Sequence, residues 1–214
     1  RTLCERLRQM GAEVDILVNN AGFGLGGPFV ENAVEKQQEM LYVNVHAVTE
    51  LCRRLLPGMI KRGWGRILNV ASLGSFVPGP YNSVYCASKA YVLSLTRALA
   101  QECRGTGVKV TALCPGATHT RFAHRAGMES TLLFRVGVMN AAQVAAQGYR
   151  GLMEGKTVVI PGCQNKAAYF LSRFAPQQLV TWSSGAMQKP RRHAQREQHA
   201  SLPRLTRREG FSHQ

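Results

Sequence analysis

Four short apolar runs constrain this chain more than any other feature. "DILVNN" (residues 15–20), "GRILNVAS" (65–72), "GVKVTALCPG" (107–116) and "KTVVIPG" (156–162) each carry a continuous run of aliphatic or β-branched residues. Each run stops at a small or polar residue. Between them lie long helical patterns at about 31–62, 84–104 and 141–154. Strands apolar on both faces, alternating with helices, predict an α/β fold with a parallel sheet covered on both sides. "LLPGMIKRG" closes the first helical pattern with a proline kink and a glycine stop.

Parallel sheets of this kind bind ligands beyond the carboxyl ends of their strands. Polar residues gather there: Asn19 and Asn20 after the first run, Ser72 after the second, Thr118 and Thr120 after the third. The helical pattern "SVYCASKAYVLSLTRALA" (83–100) brings Tyr85 and Lys89 to the same rim, four residues apart and so on one helical face. The bland reading is two amphipathic side chains with packed stems and solvated tips. The chemical reading is an ammonium that makes a neighbouring phenol easier to ionise. The spacing alone decides neither.

Composition sets outer limits. The 214 residues suffice for one domain with a tail, and 45% hydrophobic content is ordinary for a globular protein. No run approaches 18 uninterrupted apolar residues, so no transmembrane helix is expected, and the N-terminal stretch lacks a signal peptide's apolar segment. Cysteines 4, 52, 86, 103, 114 and 163 are scattered, which predicts reduced, mostly buried thiols, a cytoplasmic location and no metal site. Cys86 reads as a packed small residue rather than a reactive thiol.

The net charge of +15 is unevenly spread. Residues 187–214 hold seven Lys/Arg against two Glu, leaving 20 basic and 10 acidic groups in the body. With few aliphatics and no sustained period, 187–214 reads as a disordered basic tail. A solvated extension is the stronger reading over an arm for nucleic acid or anionic lipid, since no nucleic-acid-binding motif accompanies it.

Five motifs carry a resemblance. "DILVNNAG", "NVHAV", "GRILNVAS", "YCASK" and "CPGATHT" stand in the order of the short-chain dehydrogenase/reductase family, over about residues 3–162. Asn44 lies 28 residues before Ser72, and Ser72 lies 13 before Tyr85, as that family's catalytic set requires. "VVIPGCQNKAAYFLSRFAPQQLV" is more loosely similar to ketoacyl-type and DltE-like reductases. The resemblance implies a Rossmann-like doubly wound sheet at 1–162, followed by a helical extension at 163–186 and the tail.

The resemblance also implies roles. Tyr85 would donate or accept the proton of a carbonyl/alcohol pair, with hydride supplied by NADP or NAD. A phenol titrates near pH 10, so useful ionisation at pH 7–8 needs a drop of roughly 2 to 3 units. A neighbouring cation and a helix N-terminus both push that way. Lys89 would supply the charge and hold the nicotinamide ribose, Ser72 would bond the substrate oxygen, and Asn44 would hold a water relaying protons to Lys89. Asn20, Ala21 and Gly22 would border the adenosine ribose. Pro115, Gly116, Thr118 and Thr120 would border the nicotinamide. The basic body inclines the choice towards NADP. The substrate is expected to be a small carbonyl or alcohol compound, lipid-like or acyl because "RFAHRAGMESTLLFRVGV" mixes apolar and basic residues, and the complete form is expected to be a homo-oligomer.

The sequence departs from the family in one respect. The TGxxxGxG turn that binds pyrophosphate at a helix N-terminus does not occur in it. The expectation is a C-terminal half, strands four to seven of the family's sheet, with residues 15–20 as a bare apolar edge. A chain of that kind would bind dinucleotide poorly by itself. The alternative is a catalytically silent fragment or binding protein acting through its tail or sheet edge.

Overall fold

The computed structural model describes residues 3–190 apart from residue 136. Its sheet has four parallel strands, β1 (Ile16–Asn19), β2 (Gly65–Val70), β3 (Val108–Leu113) and β4 (Val158–Val159), in the order β1-β2-β3-β4. Each strand falls inside one of the four apolar runs. Helix α1 (Leu3–Gln9) precedes β1, and α2 (Val34–Leu41) and α3 (Ala47–Arg62) link β1 to β2. Helix α4 (Ser83–Glu102) links β2 to β3; α5 (Phe122–Arg125) and α6 (Ala141–Met153) link β3 to β4. Helices α7 (Cys163–Phe174) and α8 (Gln177–Gln188) follow β4. The sequence read one extension over 163–186; Pro176 divides it into two helices.

Strand pleating sends alternate residues to opposite faces. Ile67 and Ala71, with Val108, Val110 and Ala112, meet Val48, Cys52 and Met59 of α3 and Val92 and Leu93 of α4. On the other face, Leu68 and Leu113 pack with Val144 and Leu152 of α6. Both faces of β2 and β3 are thus covered, which explains their unbroken apolar runs. Edge strand β1 differs. Ile16 and Val18 stand on the same face as Leu68 and are 39% and 51% exposed. Among the described residues no strand pairs with the outer side of β1, which forms the expected apolar edge.

The first helical pattern does not run unbroken from 31 to 62. A 3₁₀ turn occupies Phe29–Glu31, and a wide π turn at Tyr42–His46 separates α2 from α3. Pro57 is accommodated inside α3, which ends at Gly63 in the left-handed conformation (φ 70°). The π turn cannot be seen in the apolar spacing, because one extra residue barely shifts the period.

Asn19 was expected to face a ligand. Instead it is buried beneath the sheet, where its Nδ2 donates to Asn69 Oδ1 (2.8 Å), and Asn69 Nδ2 donates to Thr96 Oγ1 of α4 (2.9 Å). This chain of bonds couples β1, β2 and α4 through groups that have no water to turn to. Five of the six cysteines are buried and all six are free, Cys163 alone being exposed. Residues 187 and 188 end α8, and 191–214, most of the expected tail, lie outside the described residues.

Asn69→Ala should destabilise the fold by about 1–3 kcal/mol, because it removes the oxygen acceptor of the buried Asn19 amide, whose other partner is Cys52 Sγ at 3.5 Å, while Thr96 keeps its bond to the Val92 carbonyl. Urea denaturation followed by circular dichroism checks this. A loss under about 0.5 kcal/mol, the level of a surface substitution, would show that the network carries no stability.

Candidate active site

Strand β2 ends under Ser72, and the backbone on either side of that residue is pinned to the segment after β3. Ala71 N–H donates to the Leu113 carbonyl and Leu73 N–H to the Pro115 carbonyl, both at 2.8 Å. Ser72 then caps the short 3₁₀ turn Leu73–Phe76: its Oγ accepts from Gly74 N–H (3.1 Å) while its own N–H donates to Ser75 Oγ (3.1 Å). The hydroxyl is thereby fixed at the mouth of the sheet.

Helix α4 begins at Ser83, so Tyr85 and Lys89 lie in its first two turns and on one face. Tyr85 is half-buried, its ring 5.2 Å from that of Phe122. Ser72 stands within hydrogen-bonding reach of the phenol. Lys89 is buried; its Nζ donates to the Val70 carbonyl (2.8 Å) and lies 5.8 Å from the centre of the Tyr85 ring.

The titration behaviour reverses the simple expectation for this pair. Burial pushes the Tyr85 phenol up to about 12, with the Ser72 hydrogen bond pulling back and the neighbouring Cys86 adding slightly to the rise. Burial likewise brings Lys89 down to about 8, with a small opposing effect from Cys114. Loss of solvation is the largest influence on both groups, and for the phenol it outweighs the Ser72 hydrogen bond. Burial also raises Cys86, to about 11, so this thiol is a packed, protonated group.

Asn44 lies in the π turn and is fully buried. Its Nδ2 donates to the Phe23 carbonyl (3.0 Å) and to Ser88 Oγ (3.1 Å), and its Oδ1 accepts from Phe23 N–H (3.2 Å). The amide therefore clamps the loop after β1 from both sides of one residue. Ser88 Oγ in turn donates to the Tyr85 carbonyl (2.7 Å). Ser88 escaped the sequence reading, although it stands inside "YCASK"; only the fold reveals that it joins Asn44 to the first turn of α4.

A cavity of about 870 Å³ opens at this end of the sheet. Ser72, Tyr85 and Lys89 line it, together with Asn20 and Gly22 after β1 and Pro115, Gly116, Thr118 and Thr120 after β3. Ala21 and Asn44 do not. Ala21 is exposed beside the cavity, and Asn44 sits behind its wall. Gly22 is required by close approach: a Cβ there would stand 2.9 Å from Asn44 Oδ1 and 3.2 Å from Lys89 Nζ. Gly116 is similarly crowded, since a Cβ would run into the side-chain amide of Asn165. Thr118 Oγ1 donates to the Gly116 carbonyl (3.0 Å), and Thr120 Oγ1 accepts from Phe122 N–H (3.2 Å). Helices α7 and α8 close the far wall through Asn165, Tyr169, Val180 and Gln188, a contribution with no periodic signature in the sequence.

Lys89 should leave a mark on stability. An unfolded lysine keeps its proton to about pH 10.5, whereas Lys89 loses it at about 8, so between these values the unfolded chain binds more protons and the folded state gains as pH rises. Below pH 8 the penalty is fully present. Lys89→Met should therefore be stabilised relative to the parent by about 1–3 kcal/mol near pH 7, with the gap closing by pH 10.5. Denaturation midpoints measured from pH 6 to 10.5 test this, and a pH-independent gap would contradict it.

Comparison with known proteins places this arrangement. The chain is 41% identical over 114 residues to ketoacyl reductase HetN from Nostoc sp., covering 53% of this chain and 40% of that protein. It is 39% identical over 117 residues to 2-(R)-hydroxypropyl-CoM dehydrogenase from Xanthobacter autotrophicus, covering 53% and 46%. The chain thus spans about half the length of the curated relatives it matches, or less. Among solved structures, a short-chain dehydrogenase from Sphingobium yanoikuyae in complex with NADPH superposes with a TM-score of 0.70 at 26% identity, covering 95% of this chain and 71% of the other. A short-chain dehydrogenase/reductase from Burkholderia phymatum in complex with NAD gives 0.68 at 26% identity, covering 78% and 67%. The profile of the short chain dehydrogenase family matches residues 1–130, a span that holds β1 to β3 with Asn44, Ser72, Tyr85 and Lys89, and the chain belongs to that family.

Proposed function

We propose that this chain forms the catalytic half of an NAD(P)-dependent oxidoreductase that interconverts a carbonyl compound and its alcohol. The observation that carries this reading is the convergence of Ser72, Tyr85 and Lys89, from the end of β2 and the start of α4, on one cavity. Tyr85 is the proton donor in the reducing direction. Its raised pKa keeps the phenol protonated at neutral pH, the state a donor needs. Ser72 aims its hydroxyl at the oxygen on which negative charge grows. Asn44 is a positioning residue whose amide fixes the loop at Phe23 and, through Ser88, the first turn of α4.

The residues fit a nicotinamide cofactor, which when bound supplies or takes the hydride. The space beside Lys89 Nζ is kept open by the missing side chain at Gly22, and the ammonium has donors beyond the one given to Val70. Lys89 would hold the ribose hydroxyls, Asn20, Ala21 and Gly22 would border the adenosine ribose, and Pro115, Gly116, Thr118 and Thr120 the nicotinamide. The relatives named above include proteins complexed with NADPH and with NAD. The basic body of this chain, with 20 Lys/Arg against 10 Asp/Glu in residues 1–186, favours NADP. Leu133, Phe134 and Val144 with Arg121 and Arg125 give the cavity an apolar wall and two cations, suited to a lipid-like or acyl carbonyl substrate.

The test is turnover of NADPH and NADH with acyl, aliphatic and aryl ketones, in the full protein to which these residues belong. Tyr85→Phe removes only the hydroxyl and should lower kcat by at least about 10²-fold, leaving dinucleotide affinity measured by calorimetry largely intact. Full turnover by that variant would overturn the assignment. A preference for NADH over NADPH would overturn the cofactor choice alone.

A further inference from the structure

Helices α7 and α8 have two faces with opposite characters. Their inner faces wall the cavity, whereas their outer faces are apolar and uncovered. On α7, Ala167, Phe170, Leu171 and Phe174 fall on one stripe, and Phe170, Leu171 and Phe174 are 58%, 72% and 85% exposed. On α8, Leu179 and Trp182, 55% and 72% exposed, share a stripe with Ala186. None of these large side chains lines the cavity. Helix α7 contains no buried residue, so packing against the other described residues does not account for its apolar content.

Charge says what the surface meets. From Gly155 to Arg196 the sequence contains seven Lys/Arg and no Asp or Glu. Lys166 and Arg173, one heptad apart, border one edge of the apolar stripe of α7, Arg173 also donating to the Tyr169 hydroxyl (3.1 Å), and Lys189 follows α8 directly. We propose that α7 and α8 dock this protein on the surface of an anionic lipid bilayer, with Leu171, Phe174 and Trp182 entering the headgroup region and Lys166, Arg173 and Lys189 contacting lipid phosphates. Aromatic and aliphatic residues on one face of a short helix, rimmed by cations, are the signature of an interfacial helix. A second copy of this chain is a poorer occupant, since a twofold interface would set the same uncompensated cations against themselves. The exposed apolar cluster at Phe29, Val30 and Val34 lacks this character, being interleaved with Glu31, Glu35 and Glu39. The basic composition of the sequence after residue 190 does not by itself argue for a lipid surface; the apolar face of α7 and α8 does.

The inference stands independently of the reaction in the cavity, because its readout is binding to vesicles. The full chain should sediment with mixed phosphatidylglycerol and phosphatidylcholine vesicles and not with pure phosphatidylcholine vesicles, and high salt should weaken its binding to the anionic ones. In a Trp64→Phe background, Trp182 emission should shift to the blue on binding and be quenched by brominated lipid. Leu171→Ser/Phe174→Ser, with folding checked by circular dichroism, should reduce partitioning by more than about tenfold, and Lys166→Gln or Arg173→Gln by about fivefold each. The proposal is overturned if the chain ignores anionic vesicles or if Trp182 is unperturbed by them. It is overturned equally if only Arg191→Gln/Arg192→Gln/Arg196→Gln abolishes binding, which would leave a polybasic arm. Conversion of a dimer to a monomer by Leu171→Ser/Phe174→Ser, without any vesicle binding by the parent, would assign the face to a second copy instead.

Discussion

The hydrogen bond from Lys89 Nζ to the carbonyl of Val70 joins the helix that carries the phenol to the strand that carries Ser72. An ammonium as buried as Lys89 is costly unless its donors are satisfied, and the last carbonyl of β2 is the acceptor within reach. That cost fixes the register of α4 against the sheet. With Lys89 anchored, Tyr85 one turn earlier is carried to the rim beside Ser72. The same burial explains why the phenol is hard to ionise and the lysine easy to deprotonate: one desolvated pocket opposes charge on both groups.

A second constraint operates from behind. Asn44 holds both backbone polar groups of Phe23 and passes a bond to Ser88, which bonds the Tyr85 carbonyl. The loop after β1, the π turn and the first turn of α4 therefore move together. Asn44 sits in the wide turn at Tyr42–His46, from which its amide reaches both Phe23 and Ser88. Gly22 belongs to the same construction, since any side chain there would displace the amide of Asn44 or the ammonium of Lys89.

Much of this was legible in the sequence, for identifiable reasons. β2 and β3 are covered on both faces, so their apolar runs are unbroken and could hardly be anything but interior strands. The strand-end positions of Ser72, Thr118 and Thr120, with Tyr85 and Lys89 opening a helix, pointed to a shared rim because parallel sheets gather strand ends on one side, whereas Asn44 entered only through the resemblance. What escaped depends on partners distant in sequence. Asn19 looked like a ligand-facing residue until Asn69 and Thr96 were placed under the sheet with it. The expected lowering of the Tyr85 pKa counted the nearby charge but had no measure of solvent exclusion. The π turn escaped because it inserts one residue into a pattern whose apolar positions still recur at helical spacing.

Helices α7 and α8 show why a single periodicity can carry two functions. In an ordinary surface helix the apolar stripe faces the core and the polar stripe faces water. In α7 the residues facing the protein include Asn165, Tyr169 and Ser172, polar groups that suit a cavity wall, while Phe170, Leu171 and Phe174 face outward. The helix is inverted relative to the usual pattern. The cavity takes Ala168, Val180 and Met187 from α7 and α8 as well as their polar groups, so its wall uses only part of their apolar content and leaves Phe170, Leu171 and Phe174 outside. Such a helix is stable when something apolar covers that outer face. The uncompensated cations beside it restrict that cover to an anionic surface, which sets a lipid bilayer directly behind the wall of the cavity.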